Sequence, residues 1–322
     1  MRGLALLLVG VSALAGDLLL VVHKLADSVG YYDLATGKNV VTIPVGRKPH
    51  EFAFSSDERF AYVTNYGVDT YTETIPGGNT ITVIDVAARK AAGEIDLGAY
   101  HRPHGIERGA SGLFYVTTDA PAALLIVDGA RRRVVNAIPI TGKLPHMVQV
   151  SHDEQRAWTA DAGSASVTAI SLARKKQSGQ VKVGGTPMGF ALTRDETKLF
   201  VATRDGNEVV LLDPRPLVVK SRIKVEGQPA RLLLTKDEKL LLVSLIAAGE
   251  IAAIDVQSLK EVRRAKAGAR AEGMSLAPDG KTGFIAAQAE NRIVRFSLPG
   301  LETLQKIETA DKPDPSYYLR GR

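Results

Sequence analysis

The sequence predicts an all-β fold, a seven-bladed β-propeller of four-stranded antiparallel blades, from three observations. First, Pro103, Pro145, Pro187 and Pro229 lie 42 residues apart, with Ala271 and Pro313 in the next two slots. Second, Asp153, Asp195, Asp237 and Asp279 keep that period, as do Ser171, Asp213, Asp255 and Ser297. A period near 40 made of short apolar runs and turn residues is the signature of propeller blades. Third, the two ends of the chain complement each other, as shown below. Pro49 precedes Pro103 by 54 residues, so the first complete unit carries 12 extra residues.

Each unit offers four strand signals. In the first they fall at residues 51–55, 60–65, 80–86 and 94–98; in the fourth, at 189–193, 198–203, 208–213 and 219–226. Short β-rich runs separated by Asp, Gly, Asn and Pro favour antiparallel strands over helices. The repeated Pro precedes the innermost strand, where its missing N–H breaks no ladder, and the repeated Asp closes the first hairpin. Six units start at Pro49, Pro103, Pro145, Pro187, Pro229 and Ala271. The C-terminal run 312–319 matches only the start of a unit, and residues 17–46 match its second to fourth strands. Together they make a seventh blade, whose closure removes open sheet edges.

A chain of 322 residues buries roughly three-quarters of its unfolded surface and needs no covalent staples. It contains no cysteine, which removes disulfides, covalent c-type haem, thiolate zinc sites, blue copper and thiol catalysis. Residues 1–15 read as a secretory signal: one early positive charge, an apolar run too short to span a bilayer, and Ala13-Leu14-Ala15 before the cleavage point. The remainder, residues 16–322, is expected to be one propeller domain, periplasmic or secreted and monomeric, with no membrane span. The net charge of +6 is scattered; the clusters Arg131–Arg133, Arg174–Lys176 and Arg263-Arg264 fall in or beside turns before outer strands. A nucleic-acid surface is the least supported reading, because it needs exposed aromatics along a basic groove.

Tyr62-Val63-Thr64-Asn65 spells YVTN, with Thr82-Val83-Ile84-Asp85 in the next strand. The chain resembles the YVTN family of seven-bladed propellers over essentially its whole mature length. That resemblance implies the architecture and says little of activity, since members serve as surface, periplasmic and cofactor-associated proteins.

Function is sought where the repeats differ. The residue after each Pro lies near the central channel on one face. Read around the ring from the sixth blade, it is Glu272, Asp314, His50, His104, His146, Met188 and Ala230. The slot before each Pro adds Lys48, Arg102, Arg270 and Lys312. Three of six histidines in one equivalent slot of adjacent blades can converge on one guest. They suit a divalent metal such as zinc, copper or iron, with Glu272 or Asp314 as an oxygen ligand. They equally suit an anion or proton transfer near neutral pH, or bonds from each imidazole to a neighbouring loop carbonyl.

Pro-His at the start of an inner strand is also similar to the cytochrome d1-type propellers. There, two histidines of adjacent blades face the substrate over a haem-like tetrapyrrole. The matching positions here are His104 and His146, with His50 an additional candidate. No Cys-x-x-Cys-His segment and no proximal iron ligand accompany them. The 12-residue insertion lies within residues 66–79, polar and aromatic with a Gly-Gly hinge, and is placed to fold over His50 as a lid. Tyr66, Tyr71, Asp69 and Glu73 are its candidate contacts. The repeated Asp residues read as turn formers, and Trp158 as core.

Two functions compete. One is a propeller that holds a small ligand, metal or protein partner at the histidine face without turnover. The other is a metal- or tetrapyrrole-dependent oxidoreductase, or a cofactor-maturation protein, working through His104 and His146. No nucleophile–base pair can be read from spacing, which favours the first.

Overall fold

The computed structural model describes residues 16–321; the expected signal segment 1–15 lies outside them. The described chain forms seven four-stranded antiparallel sheets around a central channel. Six are sequential blades that begin with the strands Pro49–Phe54, His101–Arg108, Pro145–Val150, Pro187–Leu192, Pro229–Leu234 and Ala271–Leu276. In the seventh, Pro313–Leu319 is the inner strand, followed outward by Leu18–His23, Ser28–Asp33 and Asn39–Pro44. The expected closure is present: Leu20 pairs with Tyr317 and Leu18 with Leu319.

Blade 1 differs from expectation in its outer strand, which spans Lys90–Asp96 rather than starting at residue 94. Ala91, Ala92 and Gly93 carry little β signal, yet the strand tolerates them through a bulge opposite Val83 and Ile84. The repeated Asp residues do make the first-hairpin turns. Asp57, Asp153, Asp195 and Asp237 each accept the hydroxyl of a Ser or Thr two residues earlier and the backbone N–H two residues later.

Apolar side chains of neighbouring blades interdigitate to form the core. Trp158 of blade 3 is fully buried and packs with Phe190, Val201 and Leu212 of blade 4. The closing seam is sealed by Leu20, Tyr31, Phe54, Val63 and Ile84. Burying each such side chain contributes about 1.5–3 kcal/mol, so closure is held by packing as well as by strand pairing.

One irregularity recurs in every inner strand and positions the site. Pro49 pairs with Asn65, but Phe52 pairs with Val63, so the inner strand carries one extra residue between them. The same shift follows Pro103, Pro145, Pro187, Pro229, Ala271 and Pro313. A bulge of this kind re-aims side chains that strict alternation would send to opposite faces. Here it lets the first and second residues after the Pro both face the channel.

Crowding at the second of these positions explains its glycines. A Cβ on Gly105 would come within 2.8 Å of the His146 carbonyl, and one on Gly273 within 2.3 Å of that of Asp314.

Candidate functional site

The three histidines of the repeat slot meet at the channel mouth. The ring centroids of His50 and His104 are 3.8 Å apart, those of His104 and His146 3.9 Å, and those of His50 and His146 6.2 Å. They form a tilted stack, and Tyr66 stands edge-on to His50 and His104. Their spacing is set from behind. Thr64 Oγ1 accepts the Glu51 N–H and donates to the His104 carbonyl; Thr117 Oγ1 accepts the Gly105 N–H and donates to that of His146. Each threonine thus ties the bulge of its own blade to the histidine of the next.

Burial holds all three imidazoles well below their usual range, with Arg231 adding to the effect in each and a neighbouring imidazole adding to it in His50 and His104. They are neutral near pH 7. His146 Nδ1 lies 3.2 Å from the Met188 carbonyl, so it carries the proton and leaves Nε2 as an acceptor. Nδ1 of His50 and of His104 is buried without a hydrogen-bond partner among the described residues. His50 Nδ1 approaches Glu51 Oε1 at 3.4 Å and Asp314 Oδ2 at 3.7 Å; with the ring neutral, these are close polar contacts and not ion pairs.

Below the histidines lies a charged floor. Arg231 of blade 5 reaches across the channel to an ion pair with Glu51 of blade 1, and stands 3.9 Å from Asp314 Oδ1. Its other nitrogen is 2.8 Å from the Met147 sulfur. Burial pushes Asp314 up to about 8, aided by the Glu272 carboxylate and opposed by Arg231. Burial also raises Glu51 against the pull of Arg231. Removed from water, these charges are tolerable only because they face each other.

The insertion does fold over the mouth. It leaves blade 1 through a neck in which Gly67 and Gly78 touch: a Cβ on Gly78 would lie 2.0 Å from the Asn65 carbonyl oxygen. Tyr66 is buried at its base and donates to Asp119 Oδ2 at 2.6 Å. Burial pushes that carboxyl up to about 6. The tip is fixed to three other blades. Lys312 of blade 7 pairs with Asp69 at 2.5 Å. Arg204 of blade 4 donates to the Tyr71 hydroxyl at 3.0 Å. The Arg102 guanidinium of blade 2 donates to the carbonyls of Tyr71, Glu73, Ile75 and Pro76. Glu73 does not face the mouth; its carboxylate accepts the Asp69 and Thr70 N–H groups and shapes the turn.

Under this lid is a chamber of about 120 Å³. Of the residues nominated from sequence, His50, His104, His146, Glu272, Asp314, Arg270, Lys312, Tyr66, Asp69 and Tyr71 line it. Lys48 and Arg102 do not. The Lys48 backbone N–H bonds Asp27, and the Arg102 side chain is spent on the lid. Sequence reasoning missed Lys24, Arg204 and Gln288, which also line the chamber, and the Glu51–Arg231 pair beneath it.

A signal for both groups existed. Lys24, Tyr66, Ala162, Arg204 and Gln288 occupy one slot at the end of the second strand. Each donates its backbone N–H to the carbonyl of the residue before the Pro, or before Ala271, that opens its own blade. Glu51 and Arg231 share the second slot after the Pro. Reading those two slots around the ring, as was done for the first, finds them.

The arrangement fits neither expected cofactor. Among the described residues no group of three or more His, Cys, Asp or Glu side chains is arranged to hold a metal ion. The chamber exceeds what one water needs but is too small beneath the lid for a tetrapyrrole. Among the described residues no helix is long and apolar enough to cross a membrane.

No family model and no curated protein matches the chain by sequence. Solved structures match it in fold. The periplasmic gluconolactonase PpgL of Pseudomonas aeruginosa is similar with a TM-score of 0.77 at 17% identity, over 95% of this chain and all (100%) of that one. Hydrazine synthase of Kuenenia stuttgartiensis gives 0.75 at 18% identity, over 87% and 91%. The dihydro-heme d1 dehydrogenase NirN in complex with DHE gives 0.67 at 15% identity, over 94% and 75%. At these identities the likeness establishes a seven-bladed propeller and leaves activity to the site itself.

Proposed function

We propose that this chain is a ligand-binding propeller of the YVTN type, acting in the periplasm or outside the cell, which holds a small polar molecule between the histidine stack and the lid. The observation that carries this reading is the lid itself. A segment of blade 1 is tied by side chains of blades 2, 4 and 7 across a polar chamber. A tolerated surface insertion has no need of three anchors on other blades. His50, His104, His146, Glu272 and Asp314 give the chamber a polar wall of donors and acceptors for a small polar ligand. The extracytoplasmic location rests on the leader-like residues 1–15 and agrees with a fold neighbour described as periplasmic.

Turnover of that ligand is the companion reading, since neutral His146 Nε2 and the raised Asp314 carboxyl are a potential base and acid at one site. The fold neighbours named as a gluconolactonase and a dehydrogenase are compatible with it. The tetrapyrrole-dependent alternative is not favoured, because the lid stands where the macrocycle would lie.

Thermal unfolding with a panel of sugars, hydroxy acids and amino acids tests the proposal. A ligand at a hundred times its Kd adds about 2.7 kcal/mol, or about 4 °C for a chain of this length. The gain should vanish in a His50→Ala, His104→Ala, His146→Ala variant that remains folded. Gains that persist in that variant would move the binding site elsewhere.

A further inference from the structure

Lys24 is buried under the lid, follows the strand Leu18–His23, and turns its amine toward the chamber over the Tyr66 ring, 5.6 Å from the centroid. Among the described residues its Nζ has no hydrogen bond and no carboxylate within ion-pair distance. An ammonium has three donors, and a buried one without a partner is costly. The other cations at the mouth are already engaged: Lys312 with Asp69, Arg204 with Asp205 and Tyr71. At the rim, Arg270 is exposed and likewise without an ion-pair partner among the described residues.

Resting on the ligand-binding reading above, we infer that the ligand is a small hydroxylated monocarboxylate whose anionic end meets Lys24, with Arg270 at the entrance and its hydroxyl on His146 Nε2. Charge counting supports one negative charge. Among the chamber residues Lys24 and Arg270 are the two cations without an ion-pair partner, and Glu272 faces them beside Asp314, whose carboxyl burial pushes up to about 8. Two positive charges against one leave room for a monoanion. The acceptors fix the rest of the molecule. His146 Nε2 has its lone pair free once Nδ1 donates to Met188, so it calls for an O–H donor. Burial lowers the Lys24 ammonium, while Asp314, Glu272 and Asp69 oppose that shift. An arriving carboxylate would stabilise the charged form further.

The test uses lactate and glycerate as acids, lactamide and glycerol as their neutral counterparts, and ethanolamine as a cation. Calorimetry and the imidazole NMR signals of His50, His104 and His146 report binding to the full chain. The expected result is binding of the acids at least tenfold tighter than of the neutral compounds. Lys24→Met should abolish that preference, Lys24→Arg should keep part of it, and Glu272→Gln should strengthen it.

Circular dichroism confirms that each variant is folded; should Lys24→Met fail to fold, Lys24→Arg and Glu272→Gln carry the comparison. Neutral compounds binding as well as the acids, or ethanolamine binding best, would overturn the monocarboxylate and leave the ligand-binding reading standing. No response of the histidine signals to any of the five would overturn both.

Discussion

Glu51→Gln removes the charge that faces Arg231 across the channel. Both side chains are buried, at 7% and 8% exposure, and Arg231 then retains only Asp314 at 3.9 Å, a carboxyl that is itself held largely protonated. Breaking a buried pair by removing one partner costs about 3–5 kcal/mol, because the other charge stays buried and uncompensated. An unfolding entropy of about 2.1 cal/mol/K per residue over roughly 320 residues converts that to a fall in Tm of about 4–8 °C.

Replacing both partners, as Glu51→Gln with Arg231→Met, leaves no bare charge and should cost less than the sum of the single variants. The coupling in a double-mutant cycle should be at least about 1.5 kcal/mol. Calorimetry on the four proteins measures it. Single variants that each lose under about 1 kcal/mol and add independently would refute the reasoning. The channel floor would then be hydrated and the pair a solvent-screened contact.

Three further outcomes follow from the same geometry. Asp314 is raised from 3.8 to about 8, so its stabilising contribution is complete below the lower value and lost as pH rises through the upper one. The histidines, lowered from 6.5, act in the opposite direction while the unfolded chain titrates around that value. Asp314 by itself contributes a fall in stability with rising pH up to about 8, so Asp314→Asn should make the slope between pH 6.5 and 8 more positive by up to ~1.4 kcal/mol per unit; an unchanged slope in calorimetry would contradict this. Arg102→Ala frees four lid carbonyls and should open residues 67–78 to proteolysis and hydrogen exchange, with Tm changed little. Thr64→Val and Thr117→Val leave the His104 and His146 carbonyls unmet and should each cost about 1–3 kcal/mol, with shifted imidazole signals as the local readout.

The architecture was legible because a propeller repeats its constraints. Each Pro, Asp turn and apolar run recurs in register, so the period, the number of blades and the closing seam could be read without side-chain detail. The histidine stack was legible for the same reason. The floor was not, because the bulge after each Pro breaks the alternation that strand reading assumes and turns Glu51 and Arg231 inward beside their neighbours. Lys24 was hidden by closure, since its blade is assembled from both ends of the chain and its slot carries no Pro nearby in sequence. Arg102 was placed by its slot, but its role depends on carbonyls of an inserted loop whose path no repeat encodes. The metal expectation found no support among the described residues, since equal slots bring imidazoles together without deciding where their lone pairs point.

The most direct test of a ligand site under the lid is native mass spectrometry of the protein taken from its source cells, paired with the triple His→Ala variant. A bound small molecule released on unfolding, and missing from the folded variant, is the expected result. A protein that carries no such molecule, and whose histidine signals stay fixed when small-molecule extracts of the same cells are added, would contradict it.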